Sequence, residues 1–256
     1  MALLEITNLS KFFGGVKAVD DFSYSLDSGH LHAIIGPNGA GKTTIFNLIT
    51  GIYPPTRGEI RFDGQPLTNL PAHEIAQKGI ARTFQNIRLF PDFSVLDNVR
   101  TACHQQANYS ILEGLFPTPR RLKQEKVLTE QAYSLLELVG LADRAKERAK
   151  NLPYGHQRRL EIARALALQP RLLLLDEPAA GMNPDETEKL MDFIEDIKEK
   201  FNLTILLIEH HMEVVMELCD DIVVIDFGKK IAQGTPEEIQ SNEAVIQAYL
   251  GAGEEL

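Results

Sequence analysis

The fold of this chain is decided by residues 30–44, which read HLHAIIGPNGAGKTT. The first part is a short apolar run, typical of a buried strand. The second part, from Gly36 to Thr43, matches the pattern G-x-x-x-x-G-K-[ST] at every fixed position. Glycines let backbone N–H groups curl around phosphates, and a following helix adds the positive end of its dipole. The stretch therefore predicts a phosphate-binding loop between a strand and a helix.

Two side chains of this loop carry specific chemistry. Lys42 is placed to bridge the β- and γ-phosphates as a point charge, and the hydroxyl of Thr43 is placed to bind Mg²⁺. The alternative is a glycine-rich turn with a solvated lysine, but such a turn does not need the full pattern between a strand and a helix. We predict that nucleotide is bound by Gly36, Pro37, Asn38, Gly39, Ala40, Gly41, Lys42, Thr43 and Thr44.

A second candidate site lies in RLLLLDE, residues 171–177. The four leucines predict a strand that is buried on both faces, and two carboxylates follow at its carboxyl end, the edge where open α/β sheets bind ligands. Asp176 is placed to hold Mg²⁺ through water, and Glu177 is placed to orient or deprotonate the attacking water. A salt-bridged surface pair is the alternative reading of these two residues.

The flanking segments predict a mixed fold. Residues 3–8 and 22–26 alternate apolar and polar side chains and predict edge strands of an antiparallel sheet. From about residue 95 to 169 the pattern is helical, apart from the breaker LFPTPR at 115–120. Because strands alternate with helices around this helical insertion, we predict an α/β core that carries a helical subdomain.

Turn and cap signals give further detail. Asp63-Gly64 and Phe227-Gly228 each predict a hairpin turn between two strands. Asn183 is placed to cap a helix that has Pro184 at its first position. The apolar stripe expected to bury that helix consists of Leu190, Ile194, Ile197 and Phe201.

Composition narrows the function classes. The formal net charge of −10 argues against nucleic acid as the main partner, because a duplex binder needs a basic face. Two cysteines indicate no disulfide framework and fit a reducing compartment. The N-terminus has no signal-peptide pattern, and no apolar run approaches the ~18 residues of a membrane span. Any membrane role is therefore expected to act from the surface through another subunit.

The motifs together resemble the ATP-binding subunits of ABC transporters. GPNGAGKTT, RRLEIARAL and LLLLDEP are similar to the phosphate loop, the end of the signature helix and the second acidic motif of that family, in family order. The resemblance implies one ABC ATPase domain, 1–256, of α/β class, with a P-loop NTPase (RecA-like) core. It further implies an antiparallel β subdomain and first part of the core in 1–95, a helical subdomain with the signature in 96–169, and the second part of the core with a C-terminal extension in 170–256.

The resemblance also assigns roles to residues outside the phosphate loop. Gln85 in RTFQNIRLF matches the loop glutamine of the family, and His210 after the strand TILLI and Glu209 matches the switch histidine. Phe13 in SKFFGG matches the aromatic residue that stacks on adenine, with Phe12 as a competing candidate. Each has an ordinary alternative as a strand-end, packed or core residue. The implied catalytic set is Glu177, His210, Gln85 and Lys42, and the implied Mg²⁺ ligands are Thr43, Gln85 and Asp176.

The signature motif departs from the family pattern. The usual L-S-G-G-Q reads L-P-Y-G-H at residues 152–156, so that Pro153 stands at the serine position. In the family that serine donates to the γ-phosphate of the partner's ATP, whereas proline has neither a hydroxyl nor an N–H group. We therefore expect a weakened clamp and two unequal ATP sites in a head-to-tail dimer. The implied contacts with the partner's ATP are Leu152, Pro153, Tyr154, Gly155, His156 and Gln157.

A narrower resemblance concerns one subgroup. The segments EGLFPTPRRLKQE, GIARTFQNIRLF, LPYGHQRRLEIAR and AVIQAYLG are similar to the LivG-like ATPase subunit of bacterial branched-chain amino acid importers. This implies ATP and Mg²⁺ as cofactors, a peripheral location at the cytoplasmic face of the inner membrane, and transport as the function. The implied partners are a second, non-identical ATPase subunit, two membrane-spanning permease subunits that contact the surface from Asn86 to Leu96, and, indirectly, a periplasmic binding protein.

Three other functions stay open at this point. The same ATPase could energise export of lipid or lipopolysaccharide. A soluble ABC protein acting on ribosomes or DNA is disfavoured by the acidic charge, the single cassette and the absence of long heptad repeats. A GTPase is disfavoured because no [NT]-K-x-D guanine-reading motif occurs in the chain.

Overall fold

A computed structural model describes residues 2–107, 118–210 and 212–252. By their contacts the residues form two compact units, one of Met1–Arg82 with Arg171–Leu256 and the other of Thr83–Pro170. The strands are β1 (Ala2–Phe13), β2 (Val16–Asp27), β3 (Leu31–Ile35), β4 (Arg57–Phe62), β5 (Gln65–Pro66), β6 (Ile80–Arg82), β7 (Leu172–Asp176), β8 (Thr204–Ile208), β9 (Asp221–Asp226) and β10 (Lys229–Gly234).

The helices lie in both units. They are α1 (Lys42–Ile49), α2 (Ala72–Gln77), α3 (Val95–Cys103), α4 (Pro119–Leu138), α5 (Tyr154–Leu166), α6 (Pro184–Phe201), α7 (Met212–Leu218), α8 (Pro236–Gln240) and α9 (Glu243–Ala252). Single turns of 3₁₀ helix occur at His104–Gln106, Ala142–Arg144 and Ala149–Asn151. None of the helices in the described ranges is long and apolar enough to cross a membrane.

The first unit contains an antiparallel sheet with the strand order β2-β1-β4-β5. The antiparallel sheet predicted for residues 3–8 and 22–26 is confirmed, but the prediction that both are edge strands is wrong for the first. Strand β1 lies inside the sheet because it pairs with β2 on one side and with β4 on the other. The predicted hairpin turn at Asp63-Gly64 is confirmed, since both residues have positive φ and join β4 to β5.

A second sheet of the same unit has the order β10-β9-β3-β8-β7-β6. Strands β9, β3, β8, β7 and β6 are parallel, and β10 pairs with β9 in the antiparallel sense through the predicted turn at Phe227-Gly228. Every residue of β3, β7 and β8 is buried, which explains why these sequences are mostly apolar. The carboxyl ends of β3, β8, β7 and β6 therefore meet at one edge of the sheet.

Helix α6 shows how local sequence sets an element's ends. Asn183 and Glu186 form a reciprocal capping box, and Asn202 ends the helix in the left-handed conformation. Leu190, Ile194 and Ile197 are buried as predicted. The prediction for Phe201 is wrong, because this last helical residue is 43% exposed.

The second unit is helical. Ser94 caps α3 by accepting from the backbone N–H of Asp97 at 2.9 Å, and Thr118 caps α4, which begins at Pro119. The buried face of α4 consists of Leu128, Ala132 and Leu136. Residues 115–117 of the predicted breaker lie outside the described residues.

Both cysteines are buried free thiols, as the sequence predicts for a chain without a disulfide framework. Burial raises the pKa of the Cys103 thiol to about 11, and it also raises the pKa of Cys219. Both groups are therefore protonated thiols at neutral pH, and neither is an activated nucleophile.

We expect Asn183→Ala to lower the free energy of unfolding by about 1 kcal/mol, because it removes the side-chain acceptor of the α6 capping box. Urea denaturation followed by circular dichroism measures the change. Asn183→Asp is the matched control, since its carboxylate still accepts the Glu186 N–H bond. Equal destabilisation by both substitutions would contradict the capping role.

Candidate functional site

The loop between β3 and α1 has room for glycine only at two positions. Gly36 has φ of 147° and Gly41 has φ of 110°, both outside the range that side-chain-bearing residues normally adopt. A Cβ atom at Gly36 would lie 2.0 Å from the carbonyl oxygen of Ile225, and one at Gly41 would lie 2.4 Å from that of Ala18. Neighbouring backbone thus fixes the loop conformation that the sequence pattern predicts.

Lys42 lies inside the curve of this loop. Its side chain is buried, and its Nζ donates to the carbonyl of Gly36 and, at 3.1 Å, to that of Pro37. The first backbone bond of α1 runs from Ile45 N–H to Gly41 C=O at 3.0 Å. The preceding N–H groups point out of the helix start, as in sites that bind phosphate. The loop therefore combines an ammonium group with a helix N-terminus, which suits a polyphosphate.

Asp176 ends β7 at the carboxyl edge and is 1% exposed. Its Oδ2 accepts from Nη2 of Arg82 at 2.7 Å, and both side chains of this ion pair are buried. A carboxylate in this position needs a compensating cation, because burial alone disfavours its charged form. The sequence did not predict Arg82, which ends β6 at the same sheet edge, as that cation.

Glu177 and His210 are brought into direct contact. Nε2 of His210 lies 2.6 Å from Oε1 of Glu177, which is the distance of a hydrogen bond donated by an Nε2–H group. Glu177 has φ of 48°, and its backbone N–H donates to the carbonyl of Ile208 at 2.8 Å. The structure thus joins two residues whose roles the sequence could assign only separately.

Glu209 links the same two segments from the interior. It is 1% exposed, and its Oε1 accepts from the N–H of Ala179 while its Oε2 accepts from the N–H of His210, both at 2.9 Å. The loop after β7 and the loop after β8 are therefore held by one buried carboxylate. The sequence does not predict this role of Glu209, because a glutamate at a strand end gives no indication of its backbone partners.

The residues at this edge fit a magnesium ion that arrives with nucleotide. Thr43 is exposed at the start of α1 and offers a hydroxyl oxygen, and Asp176 offers a carboxylate, which are oxygen ligands of the kind Mg²⁺ prefers. No group of three or more His, Cys, Asp and Glu side chains able to hold a metal occurs in residues 2–107, 118–210 and 212–252.

Of the two aromatic candidates, Phe13 is the more accessible. Its side chain is 42% exposed at the end of β1, whereas Phe12 is half-buried. The Phe13 ring makes an edge contact with Tyr53 at a centroid distance of 5.3 Å, and Nζ of Lys11 lies 5.2 Å from the Phe13 centroid. These contacts hold the ring at the surface, as an aromatic platform for a base requires.

In the second unit, helix α5 begins at the altered signature. Pro153 occupies the N-cap position and provides no side-chain cap, and Tyr154 is 44% exposed. Leu152 is buried, its carbonyl accepts from the Gln157 side chain at 2.8 Å, and Gly155 and His156 are partly buried. The helix start thus presents backbone N–H groups without the usual hydroxyl.

A buried ion pair ties α5 to the segment that contains Gln85. Arg158 is completely buried, and it donates to the carbonyls of Phe84 at 2.7 Å and Gln85 at 3.0 Å and to Glu161 at 2.8 Å. Glu161 also accepts from the backbone N–H groups of Phe84 and Arg88. Burial raises the pKa of Glu161, and the Arg158 guanidinium opposes that shift. The sequence contained this pair at helical spacing but gave no sign of its backbone partners.

The segment after Gln85 exposes an apolar patch formed by Phe90, Pro91 and Phe93. Phe90 is 42% exposed and Phe93 is 47% exposed, with their ring centroids 5.1 Å apart. Asn98 fixes the backbone beneath them by bonding both the N–H and the carbonyl of Phe90. The patch therefore lies at the surface of the second unit.

The predicted site residues divide between the two units. The phosphate loop, Asp176, Glu177 and His210 lie in the unit of Met1–Arg82 and Arg171–Leu256, together with Phe13. Gln85 and the signature residues 152–157 lie in the unit Thr83–Pro170. Within the first unit the sheet brings the phosphate loop and the acidic pair to one edge, and within the second the Arg158 side chain joins Gln85 to the signature helix.

The family model described as ABC transporter matches residues 19–180, more than half of the chain. This chain belongs to the ABC transporter family. It is therefore an ATPase with the P-loop NTPase fold, which confirms the predicted fold class and enzyme activity. A second family model, described as branched-chain amino acid ATP-binding cassette transporter, matches residues 229–255.

Individual relatives agree with the family assignment. The chain is 48% identical over 249 residues to the high-affinity branched-chain amino acid transport ATP-binding protein BraF of Pseudomonas aeruginosa, covering 97% of this chain and 98% of the relative. It is 47% identical, with the same coverage, to the corresponding protein LivG of Salmonella typhimurium. A crystal structure of an ATP-binding cassette of an ABC transporter in its ADP conformation superposes with a TM-score of 0.84 at 32% identity, covering 98% of this chain and 99% of that chain.

We expect Gly41→Ala to weaken ATP binding at least about tenfold, because the new Cβ atom meets the Ala18 carbonyl and the backbone conformation becomes strained. Equilibrium titration with a fluorescent ATP analogue measures the loss. Gly15→Ala is the control, since a Cβ atom there has no heavy atom within 4 Å. Unchanged affinity in Gly41→Ala would contradict the steric account of the loop.

Proposed function

We propose that this chain is the ATP-hydrolysing subunit of a membrane importer for branched-chain amino acids. The observation that carries the choice of cargo is the match of residues 229–255 to the branched-chain amino acid cassette model, in a part of the chain distinct from the ATP-binding motifs. The two relatives described above support the same choice. Export of lipid or lipopolysaccharide uses the same ATPase motifs but has no comparable support from this C-terminal segment.

We propose that the edge of the six-stranded sheet binds ATP with Mg²⁺. Backbone N–H groups from Gly36 to Thr44 would surround the phosphates, and the Lys42 ammonium would move from its loop carbonyls to the β- and γ-phosphates. Thr43 and Asp176 would hold the metal, Asp176 through water. When bound, Mg²⁺ neutralises charge on the phosphates and orients them.

Glu177 is the proposed general base, and His210 its orienting partner. A carboxylate that is mostly buried and hydrogen-bonded at 2.6 Å has a fixed direction, so it can position a water molecule for in-line attack on the γ-phosphate. The proton of that water would pass to Glu177 as the bond between the γ-phosphorus and the bridging oxygen breaks. Phe13 would stack on adenine and add affinity without taking part in the chemical step.

The remaining parts of the proposal concern partners. Residues 96–169 would act as the helical subdomain, presenting residues 152–157 to the ATP of a second, non-identical ATPase subunit. The exposed rings of Phe90 and Phe93 would contact one of two permease subunits at the cytoplasmic face of the inner membrane. Because the backbone of Gln85 is bonded to Arg158, a movement of the signature helix would be transmitted to the segment that bears this patch. A periplasmic binding protein would deliver the amino acid on the other side.

The proposed dimer has two unequal sites. This chain supplies a complete phosphate loop, Asp176, Glu177 and His210 to one site, where a partner with an intact signature serine would complete it. At the other site this chain supplies Pro153, which cannot donate the hydroxyl or N–H bond to the γ-phosphate. The loss of such a charge-assisted bond is worth roughly 1.5–3 kcal/mol, so the second site is expected to be the weaker one.

Reconstitution tests the proposed cargo directly. Proteoliposomes that contain this chain, the second ATPase subunit, both permease subunits and the binding protein should take up labelled leucine, isoleucine and valine only when ATP is enclosed. Labelled lysine serves as the control substrate. Uptake of none of the three branched-chain amino acids, or extraction of lipopolysaccharide instead, would refute the import proposal.

Glu177→Gln in the same complex tests both the general base and the asymmetry. Total ATP hydrolysis should fall to about a tenth or less, because only the site with the Pro153 clamp still turns over. ATP binding, measured by filter assay, should stay within about twofold of the unsubstituted complex. The corresponding substitution in the second ATPase subunit is the matched control and should cost less than half of the activity. Undiminished hydrolysis in Glu177→Gln would exclude Glu177 as the base, and equal losses in the two variants would exclude the asymmetry.

A further inference from the structure

Arg82 makes a set of contacts that the ATPase motifs do not account for. Its guanidinium ends β6 at the carboxyl edge of the sheet, and its side chain is 5% exposed. Nη2 donates to Asp176 at 2.7 Å, and Nη1 donates to the side-chain oxygen of Asn47 at 2.7 Å. The same group lies 5.4 Å from the centroid of the Phe46 ring. One planar cation thus joins the end of β7 to helix α1.

The position of Asn47 connects the Arg82 guanidinium to the helix face that contains Thr43. Asn47 follows Thr43 by four residues on α1, so the two side chains lie on the same face of the helix, one turn apart. Arg82 is therefore bonded at one end to Asp176 and at the other to the helix face that presents Thr43. Asp176 and Thr43 both hold the metal in the function proposed above, and the inference rests on that proposal.

We propose that Arg82 is a positioning residue for the magnesium site, setting Asp176 relative to Thr43. The guanidinium carries a permanent charge and bonds the buried carboxylate of Asp176 at 2.7 Å. Its rigid fork holds two partners at once, so the carboxylate keeps a fixed direction relative to α1. Arg82 itself touches neither nucleotide nor metal in this role, and acts through the orientation of Asp176.

The competing explanation is that the ion pair of Arg82 and Asp176 is purely structural. The two explanations predict different effects of Mg²⁺ on ATP binding. A structural pair would affect ATP binding equally with and without metal. A positioning residue would reduce the gain in ATP affinity that Mg²⁺ provides, because only the metal complex uses the oriented carboxylate. Removal of a residue that hydrogen-bonds a metal ligand typically changes metal affinity by ~10–100-fold.

The experiment measures the dissociation constant of a fluorescent ATP analogue for the full chain, once with Mg²⁺ and once with EDTA. The metal coupling is the dissociation constant in EDTA divided by the dissociation constant in Mg²⁺. Arg82→Met should lower this ratio about tenfold or more, while the constant in EDTA stays within about threefold. Arg82→Lys keeps the charge but cannot hold both partners, and it should lower the ratio by a smaller factor.

Arg171→Met is the matched control. Arg171 also pairs with a carboxylate, Asp63 at 2.7 Å, and lies 5.5 Å from the ring centroid of Phe62, but it is over half exposed and precedes β7 at the opposite edge of the sheet. Its substitution should leave the metal coupling unchanged. Thermal unfolding of each variant verifies that it is folded.

Asp176→Asn distinguishes a failure of the proposed metal-binding role of Asp176 from a failure of the proposed positioning role of Arg82. If Asp176→Asn leaves the metal coupling unchanged, the metal-binding role of Asp176 fails. If Asp176→Asn lowers the coupling and Arg82→Met does not, or Arg82→Met weakens binding equally in Mg²⁺ and EDTA, only the positioning role fails. If Arg82→Met does not fold, Arg82→Lys decides the matter, and a coupling equal to that of the unsubstituted chain overturns the inference.

Discussion

The parallel pairing of β3, β8, β7 and β6 is the constraint on which the ATP-binding unit depends. These strands are short, and their residues are mostly buried and apolar. Polar residues lie at the carboxyl ends of the strands, and parallel pairing places all of those ends at one edge of the sheet. The residues at this edge come from four strands that are far apart in the sequence. They are Gly36 after β3, Glu209 after β8, Asp176 at the end of β7 and Arg82 at the end of β6.

Each unit also contains a buried arginine whose partners connect separate segments. Arg82 joins β6, β7 and α1, and Arg158 joins helix α5 to the backbone around Gln85. A buried ion pair is weak evidence for stability, because desolvation offsets much of the attraction, but removal of one partner leaves an uncompensated charge. These pairs therefore define geometry more than they add stability, and in both units the defined geometry concerns residues assigned to ATP hydrolysis.

Local sequence patterns were sufficient for much of the fold. The phosphate loop, the buried strands around Leu172 and Thr204, the hairpin turns and the Asn183 cap each depend on neighbours in sequence, and the structure confirms them. The assignment of β1 as an edge strand failed because the position of a strand in a sheet depends on distant partners, here β4. Phe201 was misplaced because helical periodicity does not reveal that the helix ends at that residue.

The distinction between features set by sequence neighbours and features set by distant partners also applies to the site. Lys42, Asp176 and Glu177 were identifiable because motif and strand end coincide in the sequence. The contact between Glu177 and His210, the two backbone bonds of Glu209 and the bridge of Arg82 depend on which strands become neighbours, and no spacing along the chain encodes that order. Strand order is the information that converts a set of motifs into a site with defined contacts.

The positive φ of Glu177 has an evolutionary consequence. A glutamate at φ of 48° is strained by about 1 kcal/mol relative to glycine, which adopts this region freely. Folding stability alone would therefore favour glycine at this turn, whereas the proposed role of Glu177 as general base requires a carboxylate there. A duplicated copy of this chain that is retained as a silent partner in a heterodimer should lose the acidic residue here early, and glycine or asparagine at position 177 would mark such a copy as one that has given up catalysis.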